Sequence, residues 1–329
     1  MNILSPTLQT LYADLVQQVY AVTEKPGTVY IQKQKGRDYL YAKRRVGRTY
    51  RDMAIGRADD PSVKKRAEDI SAEQKNLKER RNIVRTLRNS GVPAPARALG
   101  NVLDVMSDAG LFGDAVLVGT AAYICASPII GAALPSGVLM TQDADLATAS
   151  LAIAGDAEGD TILDILQRAD ETFRPVPALK KGAPSSSFKS RTEFMVDLLT
   201  PQKRRSDTNP MPLEKLEAGA TPLQHLDWLI ADPVRVVALH GPGIPVKVPQ
   251  SAKYAVHKLI VAQKRRPDER VKRGKDLLQA KALIEALSET DPHALYDAID
   301  DASAQGARGW KHPVQRSLKE LGIVRADLA

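Results

Sequence analysis

The chain of 329 residues has a single cysteine, only 5% aromatic residues and no long apolar run. Without about 18 continuous apolar residues it offers no membrane span, and no membrane partner is expected. Cys125 cannot close an internal disulfide, which fits a reducing cytoplasm. It sits in an apolar segment, where a small core residue is the expected role. The first residues, MNILSPTLQTLYADL, carry no basic segment followed by an unbroken apolar stretch, so no signal peptide is expected and the chain reads as cytoplasmic. His225, His240, His257, His293 and His312 show no metal-ligand spacing, which argues against a structural zinc site. There is no Walker lysine motif, no G-x-G-x-x-G opening a helix and no G-x-S-x-G elbow, which removes the P-loop, Rossmann and α/β-hydrolase readings.

What is present is positive charge and a patterned core. Lys and Arg number 47 against 39 Asp and Glu, a net charge of +8 that favours anionic partners such as nucleotides and nucleic acids. Much of the excess lies in Lys33 to Arg51 and Lys247 to Arg273, while Asp143 to Asp170 is acidic. The length and 43% hydrophobic content allow a sizeable core and two or three domains.

The centre of the chain carries the chemistry. Ala115 to Val118 reads as a buried strand that breaks at Gly119-Thr120 into a helix-compatible segment. A second apolar strand, Val138-Leu139-Met140, leads into Thr141-Gln142-Asp143-Ala144-Asp145 and is continued by Leu146 to Ile153, beyond the loop of Gly131 to Gly137. Residues two apart on a strand share a face, so Asp143 and Asp145 set two carboxylates side by side, and a divalent cation is the usual compensation. In the strand Glu193 to Leu199, Phe194, Val196 and Leu198 alternate with Met195 and Asp197, and an acid in so apolar a strand needs a partner or a metal. If the two strands are neighbours, Asp143, Asp145 and Asp197 converge as the equipment of two-metal nucleotidyl or phosphoryl transfer.

The other segments frame this centre. Leu8 to Val22 has helical spacing, and Thr28 to Gln32, Arg37 to Lys43 and Arg48 to Ile55 read as a three-stranded antiparallel meander with Tyr30, Tyr39, Tyr41 and Tyr50 as cross-strand material. This basic, tyrosine-rich module reads either as a sheet packing its tyrosines on helices or as a surface that holds phosphates and stacks bases. Pro61 to Asn89 is one long or two short charged helices, and Ala96 to Leu111 and Asp160 to Arg168 are helical. Phe173 to Pro184 is linker-like and is followed by Ser185-Ser186-Ser187. Val234 to Leu239 and Ile244 to Val248 form a hairpin expected to extend the sheet. Ser251 is the expected cap of a helix running to Lys264. A second helix spans Glu269 to Leu287, and a helical tail follows with Trp310 as a core anchor. The domains expected are 1–92, the N-terminal helix, meander and connecting helices; 93–250, the catalytic core; and 251–329, a C-terminal helical region.

The ordered set of Gly119-Thr120, Asp143-x-Asp145 and the strand-borne Asp197 resembles the polymerase-beta-like nucleotidyltransferase superfamily. The blocks Val196-Asp197-Leu198-Leu199-Thr200-Pro201, Pro222-Leu223 with Leu226-Asp227-Trp228-Leu229-Ile230, and Tyr254-Ala255-Val256-His257-Lys258-Leu259-Ile260 are similar to a bacterial family of nucleotidyltransferase-fold proteins. Lys258, Arg265 and Lys275-Asp276 follow the order Lys, Arg, Arg-Asp of the abortive-infection toxin nucleotidyltransferases, with Lys275 where those carry arginine. The resemblance implies an α+β fold with a mixed sheet and an enzyme that moves a nucleotidyl group from an NTP to an acceptor hydroxyl. It implies Mg²⁺ or Mn²⁺ at Asp143, Asp145 and Asp197, and a place for Lys258 on the nucleotide phosphates, with Lys275 and Asp276 beside it. Gly119 lets the backbone approach the triphosphate and Thr120 hydrogen-bonds it. RNA, tRNA ends included, leads as acceptor, with a protein or small molecule behind, and the toxin likeness leaves room for an antitoxin partner. The rival class is a non-catalytic nucleic-acid-binding protein on a retained nucleotidyltransferase scaffold. For Lys258 and Asp276 the plain alternative is an interhelical salt bridge.

Overall fold

The computed structural model describes residues 2–22, 26–46, 49–135, 148–153, 160–178, 180, 182–204 and 206–324. A two-residue strand, β1 (Asn2–Ile3), precedes helix α1 (Pro6–Tyr20), which Ser5 caps by accepting a bond from the amide of Leu8. The meander is present as β2 (Thr28–Gln34), β3 (Arg37–Val46) and β4 (Thr49–Arg57), an antiparallel three-stranded sheet. Between Pro61 and Asn89 there is one helix, α2, about 44 Å long at the standard rise, with Asp60 accepting from the Ser62 amide as its cap. Its thin apolar stripe serves two small cores. Ala67 and Ile70 pack under Ala42 and Ile55 of the meander, while Ile83, Val84 and Leu87 pack with Tyr12, Leu15 and Val19 of α1. Long and charged as it is, α2 is held by these two contacts rather than by a continuous apolar face.

The main core begins at α3 (Arg97–Asp108) and the buried strand β5 (Ala115–Val118), which runs into α4 (Gly119–Ala126). The following β6 (Ala132–Ala133) pairs antiparallel with β1, and β7 (Thr148–Ile153), α5 (Ile162–Ala169), β8 (Arg174–Val176), β9 (Ser187–Lys189) and β10 (Met195–Pro201) complete the central region. The strand at 138–140, with Asp143 and Asp145, lies outside the described residues. Two later strands, β11 (Met211–Leu213) and β12 (Ala218–Leu223), were not legible as strands in the sequence. Together they make a mixed seven-stranded sheet with the path β11-β12-β10-β7-β5, β8 and β9 lying to the side of β10. The fold is therefore α+β.

The segment expected to be a linker, Phe173 to Pro184, contains β8, because Phe173 is buried against Phe194 and the strand pairs with β9. The hairpin of β13 (Val234–Ala238) and β14 (Ile244–Val248) forms its own two-stranded sheet. No ladder joins it to the larger sheet among the described residues, which corrects the expectation that it extends that sheet. Instead α1 clamps it: the Tyr12 hydroxyl accepts from Val237 N at 2.9 Å and donates to Val237 O at 3.2 Å.

Helix α6 (Leu226–Ile230) is followed by α7 (Ser251–Ala262) and α8 (Arg270–Thr290), which pack side by side. Ser251 does not cap α7; Gln250 stands at the cap position, without a side-chain bond, and Ser251 is the first helical residue. The tail comprises α9 (Pro292–Ala304), a π-helical turn over Ala307–Lys311 and α10 (His312–Glu320). Trp310 is half-buried, its ring edge-on to Trp228 at 5.4 Å and to His225 at 4.1 Å, so it anchors the tail on the rim of the core. Cys125 is 2% exposed and burial pushes its thiol up to about 12, as suits a packing residue. Among the described residues no helix is long and apolar enough to cross a membrane.

Candidate active site

The sheet brings three predicted positions to one end. In the cross-strand register Val118 of β5 faces Ser150 of β7, Ser150 faces Asp197 of β10, and Asp197 faces Ser187 of β9. Strands β7 and β10 run parallel and β5 runs against them, so the C-terminal end of β5 and the N-terminal halves of β7 and β10 share that edge. With neighbouring strands about 4.8 Å apart, Val118 and Asp197 stand roughly 10 Å apart across β7. The Gly119-Thr120 turn therefore opens on the row that holds Asp197. Asp145 precedes the first residue of β7, Thr148, by three positions in the chain.

Asp197 is not set in the apolar face of its strand. Val196 and Leu198 are fully buried, while Met195, Asp197 and Leu199 alternate with them on the half-buried face. The partner that the sequence demanded for this acid is Ser187, whose hydroxyl donates to Asp197 Oδ1 at 2.6 Å. Sequence reasoning passed over Ser187 because it stands in a Pro- and Ser-rich run that looks like loop; the short strand β9 was the missing signal. Among the described residues no further hydrogen bond to Asp197 Oδ2 is present, so that oxygen is available to a hard cation. Those residues contain no group of three His, Cys, Asp or Glu side chains that could hold a metal. A carboxylate-ligated ion at this edge thus needs donors from outside them, and Asp143 and Asp145 are of the right chemical type.

The turn itself is built for close approach. Gly119 has φ +65°, a conformation that L side chains rarely adopt, and it begins α4, whose N-terminus has no side-chain cap. No side chain caps its first-turn amides, and the dipole of a helix favours negative charge at such an end.

Helices α7 and α8 close over this turn. The Tyr254 hydroxyl donates to Gly119 O at 2.8 Å, and Gln279 Nε2 stands 3.5 Å from Thr120 Oγ1, at the outer limit of a hydrogen bond. Gln279 is fully buried and its Oε1 has no partner among the described residues. The sequence gives neither residue a role: Tyr254 stands out only as part of a family-like block and Gln279 not at all, since both lie within apolar helical stretches that read as packing.

One turn beyond Tyr254, Lys258 Nζ lies 5.4 Å from the Tyr254 ring centroid and 2.6 Å from Asp276 Oδ1, while Arg265 Nε reaches Asp276 Oδ2 at 3.0 Å. The motif order Lys, Arg, Asp is thus realised in space as one buried carboxylate bridging two cations from the α7 side. The Lys258–Asp276 contact is itself an interhelical ion pair. Lys275 is different: it is half-buried and has no ion pair among the described residues. Its pKa is pulled down first by burial and then by the charge of Lys258, with Asp276 acting the other way. Lys275 stands on α8 one turn before Gln279, the residue whose amide approaches Thr120.

The next histidine is pinned neutral. His257 is driven down to about 3, by burial first and by the Lys258 charge second, and His225 to about 4, by burial and then Lys264. In the unfolded chain both would take up protons near 6.5, whereas in the fold they resist until the pH falls much lower. The unfolded state thus binds more protons between about 6.5 and 4, and stability must fall as pH drops through that window. Melting temperature measured from pH 7.5 down to 4 is expected to decline below 6.5, and His257→Gln is expected to flatten that decline; an unchanged slope in the variant contradicts it.

A sequence model described as "Nucleotidyltransferase" matches residues 97–304, well over half of the chain. The chain belongs to this nucleotidyltransferase family. No curated protein and no solved structure matches it significantly.

Proposed function

We propose that the chain is a metal-dependent nucleotidyltransferase on a polymerase-beta-like core, transferring a nucleotidyl group from an NTP to a hydroxyl of RNA. The observation that carries this reading is what surrounds the Gly119-Thr120 turn: a glycine-opened, uncapped helix start, the Asp197 row beside it, and Tyr254 of α7 bonded to Gly119 O, with Lys258 one helical turn further along. Membership of the family supports nucleotide chemistry, and the net charge of +8 supports an anionic acceptor.

In this reading the amides at the start of α4 and the Thr120 hydroxyl hold the triphosphate, with Gly119 leaving room for its oxygens. Lys258 and Lys275 neutralise phosphate charge, Lys258 being held in direction by Asp276 and by the Tyr254 ring. The acceptor hydroxyl gives its proton to the Asp197 carboxylate as its oxygen attacks the α-phosphorus, the bond from the α-phosphorus to its bridging oxygen breaks, and pyrophosphate leaves. Asp197, fixed by Ser187, is the acid beside the incoming hydroxyl; Asp143 and Asp145 complete the carboxylate set. Bound Mg²⁺ supplies charge neutralisation on the phosphates and a lowered pKa for the attacking hydroxyl.

Thermal melting with Mg²⁺ or Mn²⁺ and a non-hydrolysable NTP tests the site before any acceptor is known. A rise in melting temperature is expected for the native chain and none for Asp143→Asn; a native chain that shows no rise overturns the enzymatic reading.

Lys258→Met separates the functional reading from the plain salt bridge. Asp276 keeps Arg265 as partner in that variant, so the melting temperature is expected to hold within a few degrees while transfer falls about 100-fold. Unchanged transfer would leave Lys258 as structural only.

A further inference from the structure

The meander is more than a cover for α2. Its strands alternate cleanly, and its two faces differ in kind. Leu40 and Ala42 of β3, with Val29, Met53 and Ile55, face α2. The positions between them on β3, Arg37, Tyr39, Tyr41 and Lys43, therefore occupy the opposite face. The register adds Tyr30, Gln32 and Gln34 from β2 opposite Tyr41, Tyr39 and Arg37. Tyr50 of β4 joins them, with the ring of Tyr50 5.4 Å from Lys43 Nζ. Tyr30 and Tyr41 stack at 5.8 Å with 24° between their planes, the Gln34 amide donates to the Tyr41 hydroxyl at 2.8 Å, and Tyr50 is 65% exposed. Asp52 shares the face and is engaged by Tyr30.

Charge points the same way. Between Thr28 and Arg57 the chain has nine Lys and Arg against two Asp, a surplus of seven where the whole chain has a net charge of +8. The surplus is thus concentrated on a sheet whose outer face is lined by tyrosines, and two ion pairs tie that sheet to the core: Arg44 with Asp108 of α3, and Arg51 with Asp160 just before α5.

We propose that the outer face of β2–β4 is a docking platform for single-stranded RNA, its tyrosine rings stacking on bases and Arg37 and Lys43 meeting phosphates. Aromatic rings with interleaved cations on an open sheet are the equipment for holding an unpaired strand. The glutamine amides and tyrosine hydroxyls among the rings supply hydrogen-bond partners for the 2′-hydroxyl. The platform deepens the RNA-acceptor reading by giving that acceptor a place to be held, and it rests on that reading.

Fluorescence anisotropy of a labelled oligouridylate of about 12 nucleotides with the full chain tests it. Tyr39→Ala/Tyr41→Ala is expected to weaken binding about tenfold or more, and Tyr39→Phe/Tyr41→Phe to retain it within about twofold, since stacking needs the ring alone. Arg37→Glu/Lys43→Glu is expected to weaken binding and lower its salt dependence. All three should keep the NTP-induced rise in melting temperature, which shows that they are folded and separates this proposal from the nucleotidyl site. Were the native chain to show no such rise yet bind the oligonucleotide through these tyrosines, the nucleotidyl reading would fail and the platform stand. Binding unchanged in the alanine variant overturns the proposal. So does equal affinity for duplex RNA or for single-stranded DNA. Loss of binding on Arg308→Glu/Arg316→Glu instead, at the cationic cleft of about 540 Å³ lined also by His312 and Lys319, overturns it too.

Discussion

Asp197→Asn is expected to lower nucleotidyl transfer by about 1,000-fold or more while leaving the fold intact. The amide keeps the size of the carboxylate and an oxygen to accept from Ser187, so the local hydrogen bond at 2.6 Å survives. The charge does not survive, and carboxylate-held metal chemistry is worth several kcal/mol of barrier, where each 1.36 kcal/mol is a factor of ten. Because the residue lies on the half-buried face of β10, with Val196 and Leu198 filling the core behind it, stability should change little. Ser187→Ala gives the graded comparison. It removes only the partner that orients the acid, and transfer is expected to fall by roughly fivefold, in line with about 1 kcal/mol for one hydrogen bond. Single-turnover rates with an α-labelled NTP measure both. A full rate in Asp197→Asn would remove Asp197 from the chemistry.

The second large effect concerns stability alone. Gly100 stands in α3 against the His240 ring, and a Cβ built there would come within 2.1 Å of His240 Nδ1. The ring is fixed by a 3.2 Å contact between His240 Nε2 and Asn101 Oδ1, so it cannot swing away without losing that bond. Overpacking of this kind costs about 1–3 kcal/mol, against which the helix-propensity gain of alanine over glycine returns at most about 1. Gly100→Ala is expected to be destabilised by about 1–2 kcal/mol in denaturant titration, even though its backbone conformation suits any residue. Adding His240→Ala should recover part of the loss, because the two positions are in contact and their effects do not add. A single variant as stable as the native chain contradicts the packing described here.

These two sites also show what could be read beforehand. The strand carrying Asp197 was legible because Phe194, Val196 and Leu198 alternate with polar or adaptable neighbours, the period of a half-buried strand. Strand β5 and the Gly119-Thr120 turn were legible for a related reason: four consecutive buried residues end at a glycine that must adopt φ +65°. Strands β11 and β12 were not, because Pro212, Pro222 and Gly219 interrupt any pattern. Gly219 is there because Pro184 O and Pro210 come within 2.8 and 2.9 Å of where its Cβ would be. Such a requirement is tertiary and leaves no periodic trace. The hairpin of β13 and β14 looked like sheet material, and it is, but pairing partners are a property of topology rather than of alternation. The same limit hid Tyr254 and Gln279. Their polar groups reach the Gly119-Thr120 turn from helices more than 130 residues away in sequence, and helical spacing alone assigns both to packing. The motif order of Lys258, Arg265 and Asp276 was visible by resemblance, whereas the bridging of both cations by one carboxylate is a fact of how α7 meets α8.

The most direct test of nucleotidyl transfer is to incubate the purified chain with each α-labelled NTP, Mg²⁺ and total RNA, beside an Asp143→Asn/Asp145→Asn control, and to resolve RNA from protein. Label on RNA with the native chain, and none with the control, is the expected result. Absence of label with every NTP, together with no binding of NTP, would contradict the assignment and leave a nucleotidyltransferase-family chain acting without the chemistry.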